Sequence, residues 1–269
     1  MNSKTRKHLI IMLLCTIFTL NTVETKAQSA SDYIKLGMKS EKSLERINYF
    51  TKAIKKDTTS ANAYFLRGSE YLENSNYLKS ITDLSQALKF HHSDSIRIYY
   101  MRNRAFMHTG QYDYALQDAN KLIGLNTRYD YKDRGVIYLT LEQYDSAMND
   151  FQIFIDDLIK LRAEPQYELI GWVYIGKNEF EQALDYLLNG GWHAPSPNPM
   201  DAGLIITYFQ LGQKEKATQI LKKLISEDKT LTNGQAIVES MIKSQRFYVN
   251  KKYTDLLNYI YDELILKPE

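Results

Sequence analysis

From about residue 30 onward, apolar residues recur every three or four positions. This spacing places them on one face of an α helix. Runs in which apolar and polar residues alternate, as they do in β-strands, are nearly absent from the sequence. The five prolines (165, 195, 197, 199 and 268) stand outside the helical patterns, where they punctuate helices rather than interrupt them. The pattern therefore predicts a nearly all-α protein.

The helical pattern itself repeats every 32 to 36 residues. An aromatic residue opens each second helix, at Tyr77, Tyr112, Tyr144 and Phe180. Three further positions recur around it: a small residue in the first helix, an aromatic residue one turn later, and an alanine early in the second helix. They are filled by Gly68, Gly135 and Gly171; by Tyr71, Phe106, Tyr138, Tyr174 and Tyr208; and by Ala115, Ala147, Ala183 and Ala217. A period of this length is typical of solenoids that stack helical hairpins.

These positions resemble the consensus of the tetratricopeptide repeat (TPR), a unit of two antiparallel helices. The resemblance covers residues 61–230, with departures at Asn103, Ser80 and Ala119. It implies an all-α, right-handed α-solenoid of about seven helix-turn-helix hairpins. The expected divisions are a secretory signal peptide (1–27), a degenerate N-terminal hairpin (28–60), TPR-like repeats (61–189), a Gly/Pro-rich loop (190–199), and a TPR-like repeat with C-terminal capping helices (200–269).

Three repeats carry an arginine in the first helix and an aspartate sixteen residues later. The pairs are Arg67 with Asp83, Arg102 with Asp118, and Arg134 with Asp150. Repeats without the arginine also lack the aspartate: the two slots hold Ile170 and Tyr186 in one, Leu204 and Ile220 in the next. This covariation within one chain predicts partly buried ion pairs between packed helices. The alternative is that the arginines face a ligand.

In TPR proteins the first helices line a concave face, so the resemblance implies a partner-binding groove in this chain. Its expected residues are Phe65, Arg97, Tyr100, Arg104, Tyr129, Lys132, Trp172 and Phe209. Aromatic side chains beside cations suit a peptide or helix with apolar anchors and acidic residues. The alternative is that many of these side chains pack against neighbouring repeats.

The first 27 residues are typical of an export signal. A basic start is followed by an apolar run, Leu9 to Leu20, that is too short to span a bilayer as a helix. We expect cleavage after Ala27, giving a periplasmic or extracellular protein. Lipidation at Cys15, or retention of the segment as an anchor, is the alternative. Cleavage removes four basic residues and one acidic residue, so the formal charge of +2 becomes about −1, which argues against nucleic-acid binding.

The sequence contains no spacing typical of a metal, phosphate or nucleophile site. His91 and His92 are adjacent and cannot share a helix face, and Cys15 is the only cysteine. We therefore expect a non-enzymatic scaffold without cofactor or metal, binding a protein or peptide. The alternatives are a membrane-tethered assembly subunit, or a glycan-associated factor that stacks sugars on Trp172, Trp192 and tyrosines.

Overall fold

The computed structural model describes residues 29–125, 130–189, 198–245 and 250–267. In these ranges the chain forms α helices, with a short π-helical turn at Asp262–Leu266 and no β-strand. The predicted fold class, all-α with consecutive helical hairpins, is therefore confirmed. The signal peptide, Tyr129, Trp192 and most of the 190–199 loop lie outside the described residues, so the predictions for them remain predictions.

The described residues up to Thr109 form the first of two compact units. Its helices are α1 (Ala30–Lys39), α2 (Ser43–Lys56), α3 (Ala61–Glu73), α4 (Tyr77–Lys89) and α5 (Ser95–His108). Each helix packs on the next, and α3 also packs on α5. The core between α3, α4 and α5 is apolar, with Phe65, Leu72, Leu84, Ile98 and Met101 buried together.

The described residues from Gly110 onward form the second unit. Its helices are α6 (Tyr112–Gly124), α7 (Asp130–Thr140), α8 (Tyr144–Lys160), α9 (Glu168–Lys177), α10 (Phe180–Leu188), α11 (Pro199–Gln210), α12 (Lys214–Glu227), α13 (Gly234–Gln245) and α14 (Lys251–Tyr261). Neighbouring helices again pack as hairpins, and α9 packs on both α7 and α11. The last helix, α14, packs on α11 as well as on its own hairpin partner α13.

The small position of the first helix is where a large side chain of the second helix approaches the backbone. A Cβ atom at Gly135 would lie 2.5 Å from the ring of Phe151, and one at Gly171 would lie 2.8 Å from Leu187. The alanines at 115, 147, 183 and 217 are fully buried in the same hairpins. The recurring residues are thus the residues that let the two helices of a hairpin come close.

The turns that precede α4, α6, α8, α10 and α12 share a backbone conformation. One residue, always two positions before the second helix, has a left-handed φ between 57° and 73°; these residues are Ser75, Gly110, Glu142, Asn178 and Gly212. In four of the turns the next amide donates to the carbonyl of the aromatic residue five positions earlier, as Gln143 does to Tyr138. This arrangement is a Schellman motif, which satisfies carbonyls left free at a helix end.

Candidate functional site

Two of the predicted arginine–aspartate pairs form the same two-pronged contact. Arg67 Nε and Nη2 donate to the carboxylate oxygens of Asp83 over 2.7 and 2.8 Å. Arg134 donates to Asp150 over the same two distances. Both aspartates are buried, and donating to the carboxylate raises the pKa of each arginine. Within these two repeats, the pair joins the first helix of a hairpin to the second.

The third donor nitrogen of each arginine reaches the preceding hairpin. Arg67 Nη1 donates to Thr51 over 3.1 Å, and Arg134 Nη1 donates to Asn120 over 2.8 Å. Arg102 makes the corresponding bond to Ser85 over 3.0 Å. Each arginine therefore also ties its hairpin to the one before it. Arg102 and Asp118 belong to different compact units, so their pairing remains a prediction.

Aromatic rings flank each of these arginines on its own helix. The guanidinium carbon of Arg134 lies 5.6 Å from the ring centroids of both Tyr131 and Tyr138. The same contacts join Arg67 to Tyr64 and Tyr71, and Arg102 to Tyr99 and Phe106. Such cation–π contacts favour arginine, whose flat guanidinium stacks well. The spacing Tyr-x-x-Arg-x-x-x-Tyr/Phe, which recurs in all three repeats, is the sequence signal for these contacts.

In the first unit, α5 presents Arg97, Tyr100 and Arg104 at intervals of three and four residues, which is one helix face. We call these three residues the α5 face. Arg97 is exposed and its guanidinium carbon lies 5.3 Å from the ring centroid of Phe65. Tyr100 is 36% exposed, and Arg104 Nη1 lies 3.6 Å from Glu73 Oε1. The α5 face is therefore a partly exposed surface that combines an aromatic ring with two cations.

Phe65, predicted to line the groove, lies beneath this face rather than on it. Its side chain is buried, with its ring centroid 4.4 Å from that of His92. Burial lowers the pKa of His92, so this imidazole is neutral at pH 7. Phe65 thus packs beneath Arg97, and little of its own surface is accessible to a partner.

In the second unit, Lys132 lies in a largely buried position on α7. Its Nζ donates to Gln166 Oε1 over 2.8 Å and lies 5.9 Å from the ring centroid of Phe154. Burial lowers the pKa of Lys132. Nearby Glu168, at the start of α9, is only 3% exposed, and burial raises its pKa to about 7. Lys132 is therefore part of a buried polar region, not an exposed groove cation.

Trp172, also predicted to line the groove, is instead fully buried, at 0% exposure. Its indole Nε1 donates to the carbonyl of Pro199 over 2.8 Å. The ring of Tyr253, from α14, packs edge-on against it with the centroids 5.6 Å apart. Trp172 is thus covered by a distant part of the chain, and it cannot serve as a stacking platform for sugars in this arrangement. Phe209 is half-buried, with Tyr259 of α14 edge-on at 5.9 Å.

Helix α14 therefore crosses three consecutive hairpins of the second unit. At its start, Asn250 Nδ2 donates to Glu142 Oε1 over 2.9 Å. Lys252 Nζ donates to Tyr144 Oη over 2.9 Å and lies 3.1 Å from Glu142 Oε1. We call the surface under α14 the α14 seat; it consists of Thr140, Glu142, Tyr144, Trp172 and Phe209. Nothing in the periodic pattern indicated these contacts, because they join residues up to 110 positions apart.

Two buried side-chain oxygens have no hydrogen-bond partner within the described ranges: Glu168 Oε2 and Thr207 Oγ1. They lie on α9 and α11, the helices that carry Trp172 and Phe209 of the α14 seat. A buried polar atom left without a partner costs about 1–3 kcal/mol. The polar groups of these two helices are thus incompletely satisfied.

The described residues contain no group of three or more metal-binding side chains. In the same ranges, no helix combines the length and apolar character needed to cross a bilayer. Among the described residues, the candidate surfaces are the α5 face and the α14 seat.

The sequence profile of the tetratricopeptide repeat family matches residues 206–230, from the end of α11 through α12. This match falls on one of the hairpins that the structure describes. The matched segment is a tetratricopeptide repeat, and the fold of the described residues is that of tetratricopeptide repeat proteins. No curated protein sequence matches it.

Solved structures that are similar to this chain share its fold. A tetratricopeptide repeat protein from Parabacteroides merdae has a TM-score of 0.65 at 15% identity, over 88% of this chain and 100% of that one. MamA has a TM-score of 0.52 at 20% identity, over 70% and 94% of the two chains. YrrB, described as a TPR protein with an unusual peptide-binding site, has a TM-score of 0.53 at 20% identity, over 64% and 89%. At these identities the similarity establishes the fold alone.

Proposed function

We propose that this TPR protein is a non-enzymatic scaffold that holds a peptide or helical segment of a partner protein on its first-helix surface. The observation that carries the proposal is the α5 face, where Arg97, Tyr100 and Arg104 lie on one side of a first helix. An aromatic ring flanked by arginines is the composition of energetically important contacts at protein interfaces. The peptide-binding site of YrrB, a protein of the same fold, is consistent with this use of the fold.

The charge of the α5 face defines the partner segment. Two arginines around a tyrosine favour an apolar or aromatic anchor with acidic residues on either side. Glu73 already contacts Arg104, so an acidic partner would replace a partly exposed ion pair that contributes little by itself. We infer that the partner is an envelope or secreted protein, because residues 1–27 are typical of an export signal.

A photocrosslinking amino acid at Tyr100 tests the α5 face. In cells that produce the full chain, we expect Tyr100 to crosslink to a discrete partner and Lys55, an exposed residue of second helix α2, to give none. Arg97→Ala with Arg104→Ala should reduce the crosslink at least tenfold. Equal crosslinking from both positions, or no loss in the double variant, would contradict the proposal.

Localisation has a separate test. The mass of the protein purified from the envelope fraction should correspond to a chain that begins at Gln28. A mass that includes residues 1–27, or a lipid at Cys15, would instead support a membrane-tethered subunit.

A further inference from the structure

The α14 seat is a second candidate surface, and its charge is opposite to that of the α5 face. It offers the carboxylate of Glu142 and the rings of Trp172 and Phe209. Opposite them, α14 supplies the ammonium of Lys252 and the rings of Tyr253 and Tyr259. A helix lying across a surface and anchored by a charge and spaced rings is a common mode of peptide recognition.

We propose that the α14 seat is a docking surface for a partner helix and that α14 occupies it as an internal competitor. The partner is an amphipathic helix with a lysine or arginine in its first turn, an adjacent aromatic residue, and a second aromatic residue about six positions on. This inference rests on the proposed scaffold function, but it concerns a surface in the other compact unit.

The contacts of α14 fit a replaceable occupant. The side chains of Lys252 and Glu142 remain 43% and 45% exposed, so their ion pair exchanges readily with solvent. On the two helices that carry Trp172 and Phe209, the unpaired oxygens of Glu168 and Thr207 leave hydrogen bonds that a different helix could complete. A partner that pairs these atoms gains contacts that α14 does not make.

Helix α13 moves with α14 when the seat opens. A Cβ atom at Gly234, the first residue of α13, would overlap the backbone at Leu257 and Asn258. Gln235 N also donates to Asn258 Oδ1 over 3.0 Å. The backbones of the two helices therefore touch directly, and the hairpin α13–α14 leaves the seat as one body.

A labelled synthetic peptide of residues 250–267 tests the inference on the purified full chain. In the wild-type protein the intramolecular helix competes, so the apparent affinity is reduced by the fraction of molecules whose seat is open. The double variant Lys252→Ala/Tyr253→Ala weakens the competitor and should bind the peptide at least tenfold more tightly. The control Lys251→Ala/Asp255→Ala alters only an exposed pair on the outer side of α14, and should bind it as the wild type does.

A charge exchange tests the chemistry of the seat. The double variant should bind a peptide carrying Lys252→Glu at least tenfold more weakly than the unaltered peptide. Adding Glu142→Lys to that variant should restore binding of the altered peptide.

Three results would overturn the inference: no gain in the double variant, an equal gain in the control, or no discrimination between the two peptides. Loss of cooperative thermal unfolding in the double variant would also overturn it, because α14 would then be a permanent part of the core. The assay needs no natural partner, so its failure leaves the crosslinking test of the α5 face unaffected.

Discussion

At the scale of single residues, Arg67 and Arg134 each join three elements at once: an aspartate on the second helix, a polar side chain of the preceding hairpin, and two rings of their own helix. The sixteen-residue spacing and the covariation predicted contact between arginine and aspartate. The spacing could not predict the bond to Thr51 or Asn120, because those two acceptors share neither residue type nor exact position. The pairs described here act in packing rather than in display to a ligand.

The Arg134–Asp150 pair leads to a prediction about stability, because other repeats carry apolar residues in the same two positions. Asp150→Ala leaves a buried guanidinium without its carboxylate and should lower the free energy of unfolding by ~3–5 kcal/mol. The double variant Arg134→Leu/Asp150→Ile copies Leu204 and Ile220, which fill the same slots elsewhere, and should lose less. Urea unfolding of both variants measures the difference, and a double variant less stable than the single one would contradict the explanation.

Glu168 gives a prediction about pH. Burial raises its pKa from 4.5 to about 7, with Lys132 lowering it and Glu164 raising it further. A raised pKa in the folded state means that folding favours the protonated carboxyl. The contribution of Glu168 to stability is therefore present below about pH 4.5 and is lost as the pH rises to about 7.

Glu168→Gln removes this dependence, because the amide does not ionise. The variant and the wild type should have similar stability at pH 4, and the variant should be more stable at pH 8 by up to about 3 kcal/mol. Chemical denaturation at the two pH values provides the measurement. A difference that does not change with pH would show that Glu168 is not titrating in this range.

At the scale of the element, the hairpin turn is a repeated feature that the residue types do not reveal. The left-handed residue two positions before each second helix is serine, glycine, glutamate, asparagine and glycine in turn. No shared residue type marks the position, because the Schellman hydrogen bonds are made by the backbone. The helices were predictable because buried side chains must recur at the helical period. The turns were not, since their geometry depends on backbone carbonyls that every residue has.

At the left-handed turn position, substitution by alanine and substitution by glycine should change the stability of the protein differently. Gly212→Ala places a Cβ in a left-handed conformation and should cost ~1–2 kcal/mol, although no atom lies close enough to clash. Ser75→Gly removes that strain and should be neutral or slightly stabilising. Thermal unfolding of the two variants gives the comparison, and an unchanged midpoint for Gly212→Ala would argue against strain at this position.

At the scale of the whole molecule, the sequence predicted the positions of the hairpins well. It predicted less well which surfaces are exposed to solvent. Arg97 and Tyr100 are exposed, while Trp172 is fully buried and Lys132 is half-buried. Repeat consensus describes contacts between neighbours, and the burial of Trp172 depends on Tyr253, which belongs to a helix outside the consensus. A prediction from periodicity alone therefore overestimates the open surface of the second unit.

The charges of the α5 face predict a dependence on salt. Raising NaCl from ~0.05 to ~0.5 M shortens the screening length from roughly 14 to 4 Å, so the Tyr100 crosslink to an acidic partner should weaken several-fold. The Arg97→Ala/Arg104→Ala variant serves as the control, since its residual crosslink should change little with salt. Crosslink yield that is equal at both salt concentrations in the wild type would indicate a mainly apolar interaction.

The position of α14 along the chain has a consequence for synthesis. Trp172 is translated well before Tyr253, and at ~5–20 residues per second the delay lasts roughly several seconds. During that interval the indole and the ring of Phe209 lack the cover that α14 provides. A nascent chain is thus most prone to aggregation just before α14 is synthesised, because this apolar surface is still exposed. A premature stop codon ahead of α14 would leave the surface exposed permanently.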